Sequence, residues 1–145
     1  MSHSVSITRF FDAPREDVFE AFTNAQAMRE WYGPESFTCP RVDSDPRVGG
    51  KYLIEMRSPN GSPFIVSGTY QEVQPPEKLV FTWAWLEGKA FGNESLVTIH
   101  FGTKNGGTEM TLLHTGLASV EDATAHEGGW VSGLNDLHKK FEKKS

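Results

Sequence analysis

Cysteine is almost absent: Cys39 stands alone in a chain of 145 residues. No internal disulfide can form, which fits a reducing, cytoplasmic setting. Long hydrophobic runs are also missing. Met1 to Asp17 holds no apolar stretch of leader length, and the longest apolar run, Leu79 to Leu86, is interrupted by Thr82. That is far short of the ~20 residues a spanning helix needs, so no membrane segment is expected. Basic charge is in deficit. A net charge of −5 argues against nucleic acid, whose binding rests on neutralised phosphates. The one basic cluster, Lys139, Lys140, Lys143 and Lys144, closes a predicted helix and suits its negative dipole end; the competing reading is a surface for an anionic partner.

Catalytic and metal motifs are lacking too. His126-Glu127 hints at the zinc-protease pattern, but Trp130 stands where the second histidine belongs. No metal and no cofactor are expected. There is no Gly-x-Ser-x-Gly elbow. Val48-Gly49-Gly50-Lys51 fails as a phosphate loop, since Asp45 replaces the upstream glycine and Tyr52 the Ser/Thr. Gly49-Gly50 reads instead as a bend that lets a sheet curl.

What is present reads as one α+β domain over residues 1–145, long enough to bury roughly 70% of its unfolded surface. Val5 to Phe11 alternates and predicts a strand. Asp12-Ala13-Pro14 starts a helix, with Asp12 or Ala13 at the cap and Val18, Phe19 and Phe22 on one face. Asn24 caps a second short helix that carries Met28 and Trp31 and stops at Gly33-Pro34. From Phe37 the period is two. Five or six strands follow, divided by Gly49-Gly50, Pro59-Asn60-Gly61, Pro75-Pro76, Gly88 to Asn93 and Asn105-Gly106-Gly107. Hairpin links make them antiparallel. A long helix runs from about Ser119 to Lys143, with Ser119/Asp122 as a capping pair and Thr124/Glu127 as a competing start. Its apolar stripe is Trp130, Leu134, Leu137 and Phe141. Sheet face and helix stripe must cover each other. A sheet of six to seven strands is wider than one helix, so it must curl around it, and that leaves a hollow beside the helix.

Asp12-Ala13-Pro14 with Val18-Phe19, then Trp31-Tyr32-Gly33-Pro34, resembles the opening of the SRPBCC (START-like) superfamily. Asp45, Arg47, Gly49-Gly50, Gly68-Thr69-Tyr70, Pro76-Glu77-Lys78-Leu79, Phe81-Thr82-Trp83, Thr111-Leu112-Leu113-His114 and Gly129-Trp130 continue the match in order over nearly the whole chain. It is most similar to the branch of homologues of the activator of the ninety-kilodalton heat-shock protein ATPase. The resemblance implies the helix-grip (Bet v 1-like) fold with a hydrophobic cavity. In that superfamily such cavities hold lipids, sterols, polyketides or other apolar molecules, and a minority of members catalyse cyclisation or aromatisation. It also implies chaperone association and a stress-response setting. The eukaryotic co-chaperone of the branch has an additional N-terminal domain that this sequence does not contain.

The cavity candidates follow from strand parity and from the helix stripe. Leu79, Phe81, Trp83 and Trp85 share one strand face, as do Tyr52, Ile54 and Met56. With them go Trp31, Tyr70, Met110, Leu112, His114, His126, Trp130 and Leu134 as expected walls. Each aromatic has a plain core-packing reading as well. His114 shares a face with Met110 and Leu112; pointing inward, it could orient a ligand or exchange a proton near neutral pH. His100 lies on the adjacent strand. His126 is expected near the cavity mouth. Arg9 shares parity with Ile7 and Phe11, either snorkelling to the rim or anchoring a ligand carboxylate, with Glu55 or Glu109 as alternative counter-ions. Gly128, Gly129 and Gly133 interrupt the long helix at ~1 kcal/mol each, which implies close packing or vacated volume.

Three functions stay open. The first is a carrier, sensor or stress-related binder of a small apolar or aromatic molecule. The second is a cyclase- or aromatase-like enzyme, which needs an acid–base group such as His114, Tyr52, Tyr70 or a buried carboxylate. The third is an interaction module on a heat-shock ATPase, which predicts an exposed apolar or charged patch instead of a hollow. No catalytic residue is assigned. A homodimer is left open.

Overall fold

The computed structural model describes residues 3–33, 36–87 and 94–141. The chain runs β1 (His3–Phe11), α1 (Arg15–Ala21), α2 (Ala25–Met28), β2 (Thr38–Ser44), β3 (Lys51–Arg57), β4 (Pro63–Gln74), β5 (Lys78–Glu87), β6 (Ser95–Lys104), β7 (Gly107–Leu117) and α3 (Val120–Lys140). All seven strands form one antiparallel sheet in the order β1-β7-β6-β5-β4-β3-β2. The first strand closes against the last, so α1 and α2 carry the chain from one edge to the other. α3 packs on β1 and β7, α1 on β6 and β7, and α2 on β2. The core lies between these helices and the sheet. This is the helix-grip architecture.

Hairpin chemistry sets the registers. Asn105 and Gly106 both take positive φ (51° and 79°) in the β6–β7 turn, and Gly61 (86°) does so after Asn60 in the β3–β4 turn. Gly49-Gly50 closes the β2–β3 connection, where Gly49 N–H donates to the Tyr70 carbonyl and Tyr70 N–H to the Gly50 carbonyl (both 2.8 Å). It anchors that turn to β4; it is not a bend within a strand. Gly68 matters in another way: a Cβ there would fall 1.9 Å from the Thr82 carbonyl oxygen and 2.8 Å from the Tyr52 ring. β4, β5 and the Tyr52 ring can approach only over a glycine.

The helix boundaries differ from expectation at α1 and α2 and match the expected Ser119/Asp122 cap at the start of α3. Pro14 itself occupies the α1 cap, because its extended conformation leaves Arg15 as the first helical residue. α2 ends at Met28, so Trp31 lies beyond it in the following turn, its indole N–H donating to the Ala21 carbonyl at 2.9 Å. α3 starts at the Ser119 cap, whose side chain accepts from Asp122 N–H, and Thr124/Glu127 falls inside it. The Asn24 cap forms as expected, accepting from Ala27 N–H at 3.0 Å. Pro34, Gly88 to Asn93, Lys143 and Lys144 lie outside the described residues.

The three helix glycines do three different things. Around Gly128 a Cβ would meet nothing within 4 Å, and the position is exposed. Gly128→Ala is therefore expected to stabilise the fold by roughly 0.5–1 kcal/mol, from helix propensity alone. Urea unfolding measures it, and a loss of stability would show that the glycine has a local role. Gly133 packs tightly, since a Cβ would lie 3.0 Å from the Trp31 carbonyl oxygen and 3.2 Å from its ring. Gly129 is a lining residue of the cavity beside α3.

Candidate ligand pocket

A cavity of about 250 Å³ lies between the N-terminal half of α3 and the sheet. The sheet supplies Met56, Phe64, Trp83 and Trp85, and α3 supplies Ala125, His126, Gly129 and Trp130. Trp31, Tyr32, Gly33 and Phe37, from the segment after α2, close the third side. Ala125 is exposed and Trp85, Phe37 and Phe64 are half-buried, so the pocket opens to solvent beside the helix. All four tryptophans of the chain are in its wall. No Asp, Glu, Lys or Arg is among the lining residues described.

The aromatic wall is internally braced. Tyr32 stacks on Trp31 with ring centres 4.0 Å apart, and it meets Trp130 edge-on at 5.8 Å. Trp83 contacts Trp130 (5.1 Å), Trp85 (5.7 Å) and His114 (5.5 Å). Such tilted and edge-on pairs each add to the area they bury. The indole hydrogen bonds brace it further. Trp85 Nε1–H donates to His126 Nε2 at 2.9 Å, while His126 Nδ1–H donates to the Asp122 carbonyl at 2.8 Å, with the Asp122 carboxylate 3.3 Å away. His126 thus links helix and sheet at the pocket wall.

His114 is fully buried and lies behind the wall, outside the lining. Its Nδ1 accepts from Trp130 Nε1–H at 3.1 Å, so the ring proton sits on Nε2 and is donated to Ser95 Oγ at 2.7 Å. Ser95 in turn donates to the Trp83 carbonyl at 3.1 Å. Burial, with His126 as a second cause, lowers the His114 pKa from the ordinary 6.5 to about 3. It is neutral near pH 7, with both nitrogens engaged. The expectation of a ligand-orienting or proton-exchanging His114 is corrected: it is a structural bracket for Trp130.

Of the other expected walls, Trp31, Met56, Trp83, Trp85, His126 and Trp130 are brought together around the pocket. Tyr52, Ile54, Tyr70, Phe81, Met110, Leu112 and Leu134 face the same interior but are packed solid in the core. The Tyr52 hydroxyl donates to the Thr82 carbonyl. The Tyr70 hydroxyl sits 2.8 Å from Ser44 Oγ. Burial raises both phenols, Tyr70 to about 12 and Tyr52 well above its ordinary 10. No carboxylate is buried among the described residues. Every acid–base candidate named from the sequence is therefore committed elsewhere. Burial also lifts the half-buried Cys39 thiol to about 11.

Arg9 does not face the pocket. Its guanidinium donates to Asn135 Oδ1 at 2.6 Å, on the half of α3 away from the cavity. Glu55 pairs with Arg57 (2.8 Å) and Glu109 with Lys104 (3.0 Å), so neither balances it. His100 is exposed on the outer face of β6. Lys140 bridges to Glu30 at 3.0 Å. Among the described residues no group of three or more His, Cys, Asp or Glu is placed to hold a metal, and no helix is long and apolar enough to cross a membrane.

Five lining residues were not anticipated as walls: Tyr32, Gly33, Phe37, Phe64 and Ala125. Phe64 had a usable signal. The Asn60-Gly61 hairpin pairs it with Met56 directly across β3 and β4, and Met56 was already assigned to the inward face. Tyr32 could be placed only after Trp31 was known to lie outside the helix.

A family model described as Activator of Hsp90 ATPase homolog 1-like protein matches residues 12–142. The chain belongs to this family. The match includes every lining residue. Among solved structures, the chain is similar to protein CV1439 from Chromobacterium violaceum at 26% identity, with TM-score 0.89 and 97% of this chain and 98% of that one covered. It is similar to the AHSA1 (SPO3351) protein from Silicibacter pomeroyi at 29% identity, with TM-score 0.84 over 95% and 96% of the two chains. Protein Ms6760 from Mycobacterium smegmatis shares the fold at 22% identity and TM-score 0.83, over 98% and 92%. No curated protein sequence matches the chain. The AHSA1-like sequence signature and the helix-grip fold thus agree.

Proposed function

We propose that this AHSA1-like chain binds a small, neutral, flat apolar molecule between α3 and the sheet. The observation that carries the reading is a pocket of about 250 Å³ walled by four tryptophans and, among the described residues, no Asp, Glu, Lys or Arg. A cavity of roughly 150 Å³ accommodates one benzene ring, so this one suits a bicyclic molecule. A charged ligand would lose its hydration without a counter-ion in exchange. The family description supports a ligand-binding or co-chaperone-like role. The pocket favours the first, because the exposed large apolar side chains among the described residues are Val48 in the β2–β3 connection, Leu86 in β5, Leu113 in β7 and Val120 at the start of α3. The free, half-buried Cys39 is in keeping with a reducing, cytoplasmic setting.

Native mass spectrometry of freshly purified protein tests for a co-purifying molecule. Tryptophan fluorescence tests binding directly. At about 0.6 kcal/mol per non-hydrogen atom, a bicyclic of about ten atoms gains about 6 kcal/mol, a Kd of tens of micromolar. Indane or naphthalene is expected to change the emission in that range. No change up to the solubility limit, with no co-purified mass, would overturn the proposal.

A further inference from the structure

A hydrogen bond from Trp85 of β5 to His126 of α3 fastens the sheet to the helix at the pocket wall (2.9 Å). An indole nitrogen only donates, so His126 Nε2 is the bare nitrogen of the ring. The ring proton is then on Nδ1, which faces the Asp122 carbonyl (2.8 Å) and carboxylate (3.3 Å). A second proton can only land on Nε2, where it sets two N–H donors against each other. The bond to Trp85 is lost, while Nδ1–H keeps both its partners. The Asp122 carboxylate is a counter-ion for the added charge. His114 of β7, the other titrating neighbour, lies 5.0 Å away between ring centres, is neutral, and adds no like charge. Trp83 and Trp85, at 6.3 and 5.9 Å, do not titrate. Tyr32, also in the wall, keeps its proton, since burial raises its phenol well above the ordinary 10.

We infer that His126 and Trp85 form an acid-released latch on this pocket: at mildly acidic pH a second proton on His126 unfastens Trp85 from α3 and lets the bound molecule go. The inference rests on the pocket reading above and adds a regulation of that same site. Trp85 is suited to be the moving part. Trp31, Trp83 and Trp130 are buried at 2%, 5% and 4% exposure, whereas Trp85 is half-buried and can turn toward solvent once released. A flat molecule between α3 and the sheet packs against Trp85 in its fastened position. Ligand and second proton therefore favour opposite states of the latch, and each weakens the other by the same factor. His114 differs, because its partners are Trp130 and Ser95 and no carboxylate. Acid thus acts on the pocket through His126 and on the fold through His114.

The test uses indane, which has no titrating group, so any effect of pH on its affinity belongs to the protein. Titrated against the full chain at pH 7.5 and 5.5, it is expected to bind roughly five- to tenfold more weakly at the lower pH, the worth of one neutral hydrogen bond. His126→Gln offers Trp85 an amide oxygen that accepts at either pH. The readout is the ratio of the two affinities within each protein, and in His126→Gln that ratio is expected to fall close to one. A wild-type affinity that ignores pH, or an equal ratio in the two proteins, overturns the latch and leaves the pocket standing. Indane bound at neither pH overturns both. Should His126→Gln fold poorly, the wild-type protein still decides. In ¹H–¹⁵N spectra recorded from pH 7.5 to 5.5, the Trp85 indole signal is expected to move in step with the His126 ring signals. The Trp31 indole, bonded to the Ala21 carbonyl, is expected to stay. A Trp85 signal that does not follow His126, or a His126 ring that takes up no proton by pH 5.5, overturns the inference.

Discussion

Stability is expected to fall by roughly 2 kcal/mol as pH drops from 6.5 to 5, and by about 3 kcal/mol by pH 4, through His114 alone. In the folded protein this ring stays neutral down to about pH 3, whereas an ordinary histidine charges near 6.5. Between those values the unfolded chain takes up a proton that the folded chain refuses, so acid favours unfolding. Stability is greatest above pH 6.5, and the loss levels off only near pH 3. The interval from 6.5 to 5 lies above the ordinary carboxylate range, which makes it the diagnostic one. Against a total of 5–15 kcal/mol for a typical domain, 3 kcal/mol is a large share. Urea unfolding at half-unit pH steps measures the slope. His114→Phe is expected to lower stability at pH 7, since it strips the acceptor from Trp130 and the donor from Ser95. It should nonetheless flatten the slope between 6.5 and 5. An unchanged slope, or a His114 ring that titrates near 6 by NMR, would refute this account.

His114 shows how far a sequence can be read. Its inward direction followed from parity with Met110 and Leu112, and all three are buried. Its role did not follow, because that depends on two partners far along the chain, Trp130 and Ser95, which meet it only after the sheet curls. The same division runs through the other walls. Alternation in β5 places Leu79, Phe81, Trp83 and Trp85 on one face, and the hairpin at Asn60-Gly61 sets the β3–β4 register. Which inward residues then border empty space is decided by packing. Tyr52 and Trp83 look alike as inward aromatics. Gly68 lets the Tyr52 ring lie flat against β4 and reach the Thr82 carbonyl, which removes it from the cavity. Fold and family were legible because they are written in period, turns and ordered short motifs. A hollow beside the helix was legible from sheet width, but which side chains border it was not, since that is a difference between volumes contributed by elements distant in sequence.

Gly129→Leu is the substitution that separates the pocket from the fold. Gly129 lies one turn along α3 from Ala125 and lines the pocket with it and His126. A leucine there gains helix propensity, roughly 0.5–1 kcal/mol over glycine. It also adds an isobutyl group at a position that lines the pocket, where apolar contact offsets the loss of space. Stability is therefore expected to hold within about 1 kcal/mol, whereas little room remains for a bicyclic molecule. Affinity for indane or naphthalene should fall by about a hundredfold or more, because overlap with a side chain is not relieved by a small shift in a close-packed interior. Gly133→Leu supplies the contrast. Its side chain would press on the Trp31 carbonyl and ring at 3.0 to 3.2 Å, and the cost should appear as several kcal/mol of lost stability. Thermal melts of both variants, with and without probe, give the two quantities together. Equal loss of binding and stability in Gly129→Leu would mean that the glycine serves packing and that the cavity is incidental. Retained probe affinity in a folded Gly129→Leu protein would place the bound molecule elsewhere.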